Sequence, residues 1–246
     1  MKTKIIGLFT AAIMTAALAG PAATKAADGE ASTSLGLYSN YVWRGQTLSN
    51  EAVVQPTVGL SWKGFGANLW SNYDSDTKEL NETDLTLNYA GAYGKFGYDV
   101  GYIYYGLDGI DDTQEFYLGL SYDVILAPYA TFYYDFDEGE GGFLVLGIGH
   151  SFPVSETIAI DLGADVTVNF DNAIMGVDES GDTFTDFYNL DLNVGTSIPF
   201  AGVWSLDLLL AYSAALTDAS KNAISLASVD GEKDVVWGGA AISLAF

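Results

Sequence analysis

The sequence contains no cysteine and one histidine in 246 residues. There can be no disulfide framework, thiolate metal site or cysteine nucleophile. Basic residues are scarce, with 9 Lys and Arg against 32 Asp and Glu and a formal net charge of −23. A nucleic-acid binder needs basic patches for phosphate, so nucleic acid is excluded as a partner. Several catalytic signatures are also missing: Gly-x-Ser-x-Gly, His-Glu-x-x-His, a phosphate loop and a dinucleotide fingerprint. Long apolar runs are lacking beyond the N-terminus. Leu208-Leu209-Leu210 sits in a stretch far short of the roughly 18–20 residues of a spanning helix. What is abundant is apolar and aromatic content, 49% and 14%, which argues against disorder.

The N-terminus reads as a secretory signal peptide. Lys2 and Lys4 form a basic start, Ile5 to Leu18 is apolar, and Ala17-Leu18-Ala19 and Thr24-Lys25-Ala26 are candidate cleavage signals. Residues 1–27 are assigned to it, with cleavage between 19 and 27, and residues 28–246 to one exported domain. Its removal takes away Lys2, Lys4 and Lys25, leaving 6 basic against 32 acidic residues, a net −26.

The exported part alternates. From Ile158 to Phe170 every second residue is apolar, while Asp161, Gly163, Asp165, Thr167 and Asn169 fall between. A period of two means a strand with one apolar face. This one is longer than the usual soluble strand of about 5–6 residues. The pattern predicts twelve strands, near 34–44, 52–62, 65–73, 83–92, 96–106, 113–123, 128–136, 142–152, 158–171, 184–198, 203–214 and 234–246. Short connections on one side alternate with longer ones on the other, as in outer-membrane barrels. The expected fold is an all-β, transmembrane, antiparallel up-and-down β-barrel with both termini on the periplasmic side.

The two faces differ in chemistry. The polar face is Gly, Ser, Thr, Asn and Asp, almost without Lys, which suits a concave lumen. The other face suits lipid, and its aromatics gather at strand ends as two interfacial girdles. Trp62, Phe65, Phe96, Phe152, Trp204 and Phe246 fall on the turn side. Tyr41, Trp43, Tyr73, Tyr104, Tyr134, Phe170, Tyr188 and Tyr212 fall on the loop side. The last strand is amphipathic and ends with Leu244 and Phe246 on the apolar face. A terminal Phe on such a strand is the assembly signal read by barrel-assembly machinery.

The candidate pore-lining residues are acidic. Asp161 and Asp165, Asp191, and Asp207 lie mid-strand in three successive strands and should form an acidic wall. Asp84, Asp99, Glu115 and Asp135 add acid at other heights, and Arg44 is the one inward base. A water-filled acidic lumen attracts cations. Arg44 either faces that wall, setting a field across the pore, or pins the first loop by a salt bridge. His150 and Ser151 are adjacent and so point to opposite faces, which does not suit a Ser-His pair. The acidic loops lack EF-hand spacing and read as solvated.

The run Ser39-Asn40-Tyr41-Val42-Trp43-Arg44-Gly45-Gln46-Thr47-Leu48-Ser49, followed by Gln55-Pro56, resembles the opening of the TorF-family porins, a group of bacterial outer-membrane barrels. The similarity extends to the later strands, although the closing Ser243-Leu244-Ala245-Phe246 lacks an aromatic two residues before the end. The resemblance implies a porin. The expectation is therefore an outer-membrane channel for passive diffusion of small hydrophilic solutes, preferring cations. It would have no enzymatic activity and no cofactor or metal. Its partners would be outer-membrane lipid, the assembly machinery and the solutes or cations that pass; no feature decides its oligomeric state. The rivals are a structural or adhesive barrel with a closed lumen, an outer-membrane lipid-modifying enzyme, and a secreted β-sandwich.

Overall fold

A computed structural model describes residues 29–246. The proposed signal peptide lies outside the described residues. The chain opens with β1 (Glu30–Tyr38) and then makes a short hairpin, β2 (Tyr41–Trp43) and β3 (Gln46–Ser49). There follow β4 (Val53–Trp62), β5 (Phe65–Asp74), β6 (Glu79–Tyr93), β7 (Phe96–Leu107), β8 (Thr113–Tyr122), β9 (Tyr129–Asp135), β10 (Gly141–Pro153) and β11 (Ala159–Phe170). After a 3₁₀ turn at Ala173–Met175 come β12 (Thr185–Phe200), β13 (Trp204–Ala215), the helix α1 (Asp218–Ala227) and β14 (Asp234–Ala245).

All of these strands except β2 and β3 form one closed antiparallel barrel of 12 strands in sequence order. β1 closes it by pairing with β4 on one side and β14 on the other. Closure matters because no strand edge is left with unpaired N–H and C=O groups, a condition that hydrocarbon imposes. The outward face is an exposed apolar band that includes Leu35, Leu37, Val58, Leu60, Leu118, Ile148 and Leu210. All six turn-side aromatics expected on the outer face are exposed there, as are Tyr73, Tyr134 and Phe170 on the loop side.

Three loop-side assignments are corrected. Tyr41 and Trp43 do not sit in the outer girdle; they are 1% and 8% exposed, inside the barrel. The predicted first strand over 34–44 is two objects, because the wall strand ends at Tyr38 and the chain re-enters the lumen as β2–β3. Tyr188 is also internal, at 0% exposed. A register shift between Val166 and Val168 places an irregularity opposite it in β12. Strict alternation is broken there, so Tyr188 and Asn189 are both buried and Phe187 takes the outward position.

The loop between residues 215 and 234 is structured too. Thr217 caps α1 through a reciprocal capping box with Ser220, and Ala223 and Ile224 are buried beneath it.

Candidate functional site

The site is the barrel lumen, and its two ends differ. On the loop side the β2–β3 hairpin fills it. Arg44 and Gly45 form the two-residue tip, at φ 48° and 83°. Two positive φ values are what a type I′ hairpin turn requires, and Gly at the second position meets the need without a Cβ penalty. A Cβ on Gly45 would also press on the Asn189 side chain at 3.1 Å.

The tip is anchored by charge. Arg44 Nη1 and Nη2 donate to Glu115 Oε1 and Oε2 of β8, both at 2.7 Å. The pair is buried, with side chains 4% and 1% exposed. Tyr105 on β7 also donates to Glu115 Oε2, at 2.8 Å. The guanidinium lies 4.5 Å from the ring centres of Trp43 and Phe143 and 4.8 Å from that of Tyr133. Of the two roles open to Arg44, the structure places it as the pin of the first loop. It does not face Asp161 and its neighbours. This is a long-range contact over 71 residues of sequence, so no local pattern announces it.

The hairpin's second strand is held by the loops above it. Gln46 Nε2 donates to the Tyr188 hydroxyl at 2.9 Å, which in turn donates to the Met175 carbonyl at 2.8 Å. Thr47 N donates to Ser228 Oγ at 3.0 Å, and Val229 N returns a bond to the Thr47 carbonyl at 2.9 Å. The 3₁₀ turn and the C-terminal end of α1 thus lock the hairpin from the loop side. Sequence reasoning did not find Gln46, Thr47, Tyr188 or Ser228 in this role. The Thr217-x-x-Ser220 capping signature could have shown that the last long loop is ordered.

The other candidate acids divide by height. Asp135 is buried at the loop end and accepts from Thr113 Oγ1 (2.7 Å), Asp137 N (2.9 Å) and Gly139 N (3.0 Å). Those bonds shape a loop. Asp84 is buried near the hairpin, beside Glu82, which the sequence reading did not select. Asp99 lies toward the turn side of β7 and accepts from Asn88 Nδ2 at 3.0 Å.

Asp165 and Asp191 are direct partners across β11 and β12, flanked by Gly147 on β10 and Ser213 on β13. Asp165 accepts from the Tyr129 hydroxyl, and Asp191 from Asn189 Nδ2 at 2.8 Å. Nearer the turns, Asp207 accepts from Ser197 Oγ (2.6 Å) and Ser243 Oγ (2.5 Å). Asp161 is half-buried opposite Gly195. The structure therefore gathers Asp161, Asp165, Asp191 and Asp207 on the inward faces of three adjacent strands. Glu115, Asp84 and Asp135 are parted from them, at the loop end.

Asp165, Asp191 and Asp207 are buried, with Tyr129 on Asp165 and Tyr38 within electrostatic reach of Asp207, while the other inward residues of this half are small. They include Ser34, Gly59, Asn68, Gly97, Gly119, Ser121, Gly149, Ser151, Gly163, Asn193 and Ser197. No Lys or Arg among the described residues points into this half. Lys63 sits in an exposed turn over the Trp62 ring at 4.7 Å, and Lys95 is likewise in a turn. His150 points outward and pairs its Nδ1 with the Ile125 carbonyl at 2.6 Å, which ties β10 to the turn between β8 and β9.

No protein-family model and no curated protein matches the sequence. Solved structures do match in fold. The KdgM porin is similar with a TM-score of 0.55 at 10% identity, over 88% of this chain and 99% of that one. The NanC porin is similar with a TM-score of 0.51, also at 10% identity, over 88% of this chain and 98% of that one. The chain, a closed barrel of 12 strands, thus shares its fold with structures of porins.

Proposed function

We propose that the protein is a porin-like channel of the bacterial outer membrane, passing small hydrophilic solutes by passive diffusion with a preference for cations. The observation that carries this reading is the turn-side lumen. Its wall positions are Gly, Ser and Asn with Tyr38, Tyr117 and Tyr129 among them, it holds the half-buried Asp161 and the buried Asp99, Asp165, Asp191 and Asp207, and it has no opposing base among the described residues. Acid in a low-dielectric cleft raises the local concentration of cations and repels anions. The apolar band meets outer-membrane lipid. The Tyr41 to Gly45 run supports placement beside the TorF family.

The hairpin supports a second reading, a structural barrel with a closed lumen, because Arg44 and its neighbours are buried on all sides. Single-channel recording of the refolded protein in a planar bilayer under a salt gradient separates the two. A channel gives discrete steps with a cation-selective reversal potential, of small size while the hairpin is in place. Shortening residues 40–51 to a tight turn then enlarges the steps. A folded barrel that stays silent both with and without the hairpin contradicts the channel.

A further inference from the structure

One buried acidic group is used neither by the channel reading nor by the fold. Glu82 and Asp84 are two residues apart on β6, so both side chains point into the lumen. They are 7% and 1% exposed. Tyr41 of the hairpin, itself 1% exposed, lies within electrostatic reach of both carboxyls. The Tyr41 hydroxyl and both Asp84 carboxylate oxygens are buried; Tyr41 and Asp84 both lie beside Glu82, and Asp84 beside the Gly106 backbone, but none of these atoms makes a hydrogen bond of good geometry.

The surroundings are already committed. Glu115, the next carboxylate, is held by both guanidinium nitrogens of Arg44 and by Tyr105. On β5, opposite Glu82, the Asn72 amide donates to Asn81 and its oxygen accepts from Gln55. Trp70, opposite Asp84, offers a ring that packs on Tyr41 at 5.5 Å. The remaining basic residues among those described, Lys63, Lys78, Lys95, Lys221 and Lys233, lie in turns, in loops or on α1. Two carboxyls are thus buried together with no basic partner. Such an arrangement is costly unless a cation or a proton neutralises it.

We propose that Glu82, Asp84 and the Tyr41 hydroxyl form a binding site for one calcium-type divalent cation, which fastens the hairpin to the wall at β6. Two carboxylates match a charge of +2, and an all-oxygen donor set suits a hard cation. No cluster of three or more Asp, Glu or His suited to a metal occurs among the described residues. The small number of charged ligands sets the affinity at the weak end, on the order of 10⁻⁴ to 10⁻³ M. This site stands apart from the channel reading: a silent bilayer leaves it intact.

The test uses the refolded protein in detergent micelles, stripped with chelator, and terbium as the probe. Tyr41 as a ligand, with Trp70 beside it, sensitises terbium emission. The expected result is emission that calcium displaces, together with a calcium-dependent rise in the denaturant midpoint. The double variant Glu82→Gln, Asp84→Asn removes buried charge and keeps the fold. It loses the calcium-dependent rise, and its emission falls to the level given by the exposed loop acids. Tyr41→Phe retains the fold and weakens terbium binding several-fold. Equal emission and equal calcium response in wild type and double variant overturn the proposal. So does a wild-type midpoint at neutral pH that calcium does not move, a result that assigns the neutrality of the pair to protons.

Discussion

On β10 the inward positions run Phe143 and Val145 at the loop end, then Gly147, Gly149 and Ser151 toward the turns. On β7 they run Tyr105 and Ile103, then Gly101, Asp99 and Gly97. On β8, Glu115 and Tyr117 give way to Gly119 and Ser121. The same strands therefore build two different interiors. Large side chains at the loop end meet the β2–β3 hairpin and close round Arg44, whereas at the turn end the wall positions are small and Asp161 is half-buried; between the two, the rings of Tyr38, Tyr117 and Tyr129 lie over Gly36, Gly101 and Gly147, and Asp99, Asp165, Asp191 and Asp207 are buried. Barrel size is fixed by strand number, so the volume of the lining decides what space remains. The charge pattern follows the same division. At the loop end Arg44 and Glu115 cancel inside a packed environment, and at the turn end the aspartates accept from hydroxyls and amides.

If the loop-side half is a packed seat, removing one member of its ion pair should have the largest effect. Arg44→Ala leaves Glu115 buried and unpaired and should cost about 3–5 kcal/mol in denaturant unfolding followed by tryptophan fluorescence. Replacing both residues, Arg44→Met with Glu115→Leu, should recover most of that loss. A cost for the double change as large as for Arg44→Ala would mean that the hairpin is not held by this pair.

The boundary between the halves can be sharpened at Gly147. A Cβ there would collide with the Asp165 carboxylate and the Tyr129 ring. Gly147→Val should therefore destabilise by about 1–3 kcal/mol. Ser121→Val, inward but in the roomier half, should stay within about 0.5 kcal/mol by the same assay.

The turn-side half should respond in the opposite direction to loss of charge. Asp165 and Asp191 face each other across β11 and β12, and like charges directly opposite are destabilising. Asp191→Asn should stabilise the barrel by about 0.2–1 kcal/mol. It should also lower the cation selectivity read from the reversal potential.

The smallest effect belongs to the cap over the hairpin. The hydrogen bond and charge of Lys221 hold the Asp218 carboxyl below the usual aspartate range. A carboxyl with a lowered folded value contributes stability above its unfolded value, near pH 4, and loses it as pH falls through the folded value. Amide exchange in α1 should quicken slightly across that acid window, and Lys221→Ala should remove the pH dependence.

Much of this was legible in the sequence because a wall strand has one face in lipid and one in the lumen. That constraint writes a period of two from Val54 to Trp62 and from Ile158 to Phe170, and it placed the turn-side aromatics and the inward aspartates correctly. It fails where the chain leaves the wall. Tyr41 and Trp43 alternate with Val42 and Arg44 just as wall residues would, yet they pack inside, because an internal hairpin obeys the same period. Tyr188 was misplaced by an irregularity that shifts parity by one. The partner of Arg44 lies 71 residues away, a distance that local pattern does not bridge. The contrast between the two halves lies in side-chain volume along the inward positions, a slower variation than the alternation itself.

The absence of cysteine permits a direct measurement of that contrast. Single cysteines at inward positions, Asn68, Ser121 and Ser197 on the turn side and Asn72, Thr113 and Thr167 on the loop side, are exposed to a bulky, charged thiol reagent in the folded barrel. The account predicts rapid labelling of the first three and protection of the second three until the hairpin is shortened. Equal labelling at both ends of the intact lumen would contradict it.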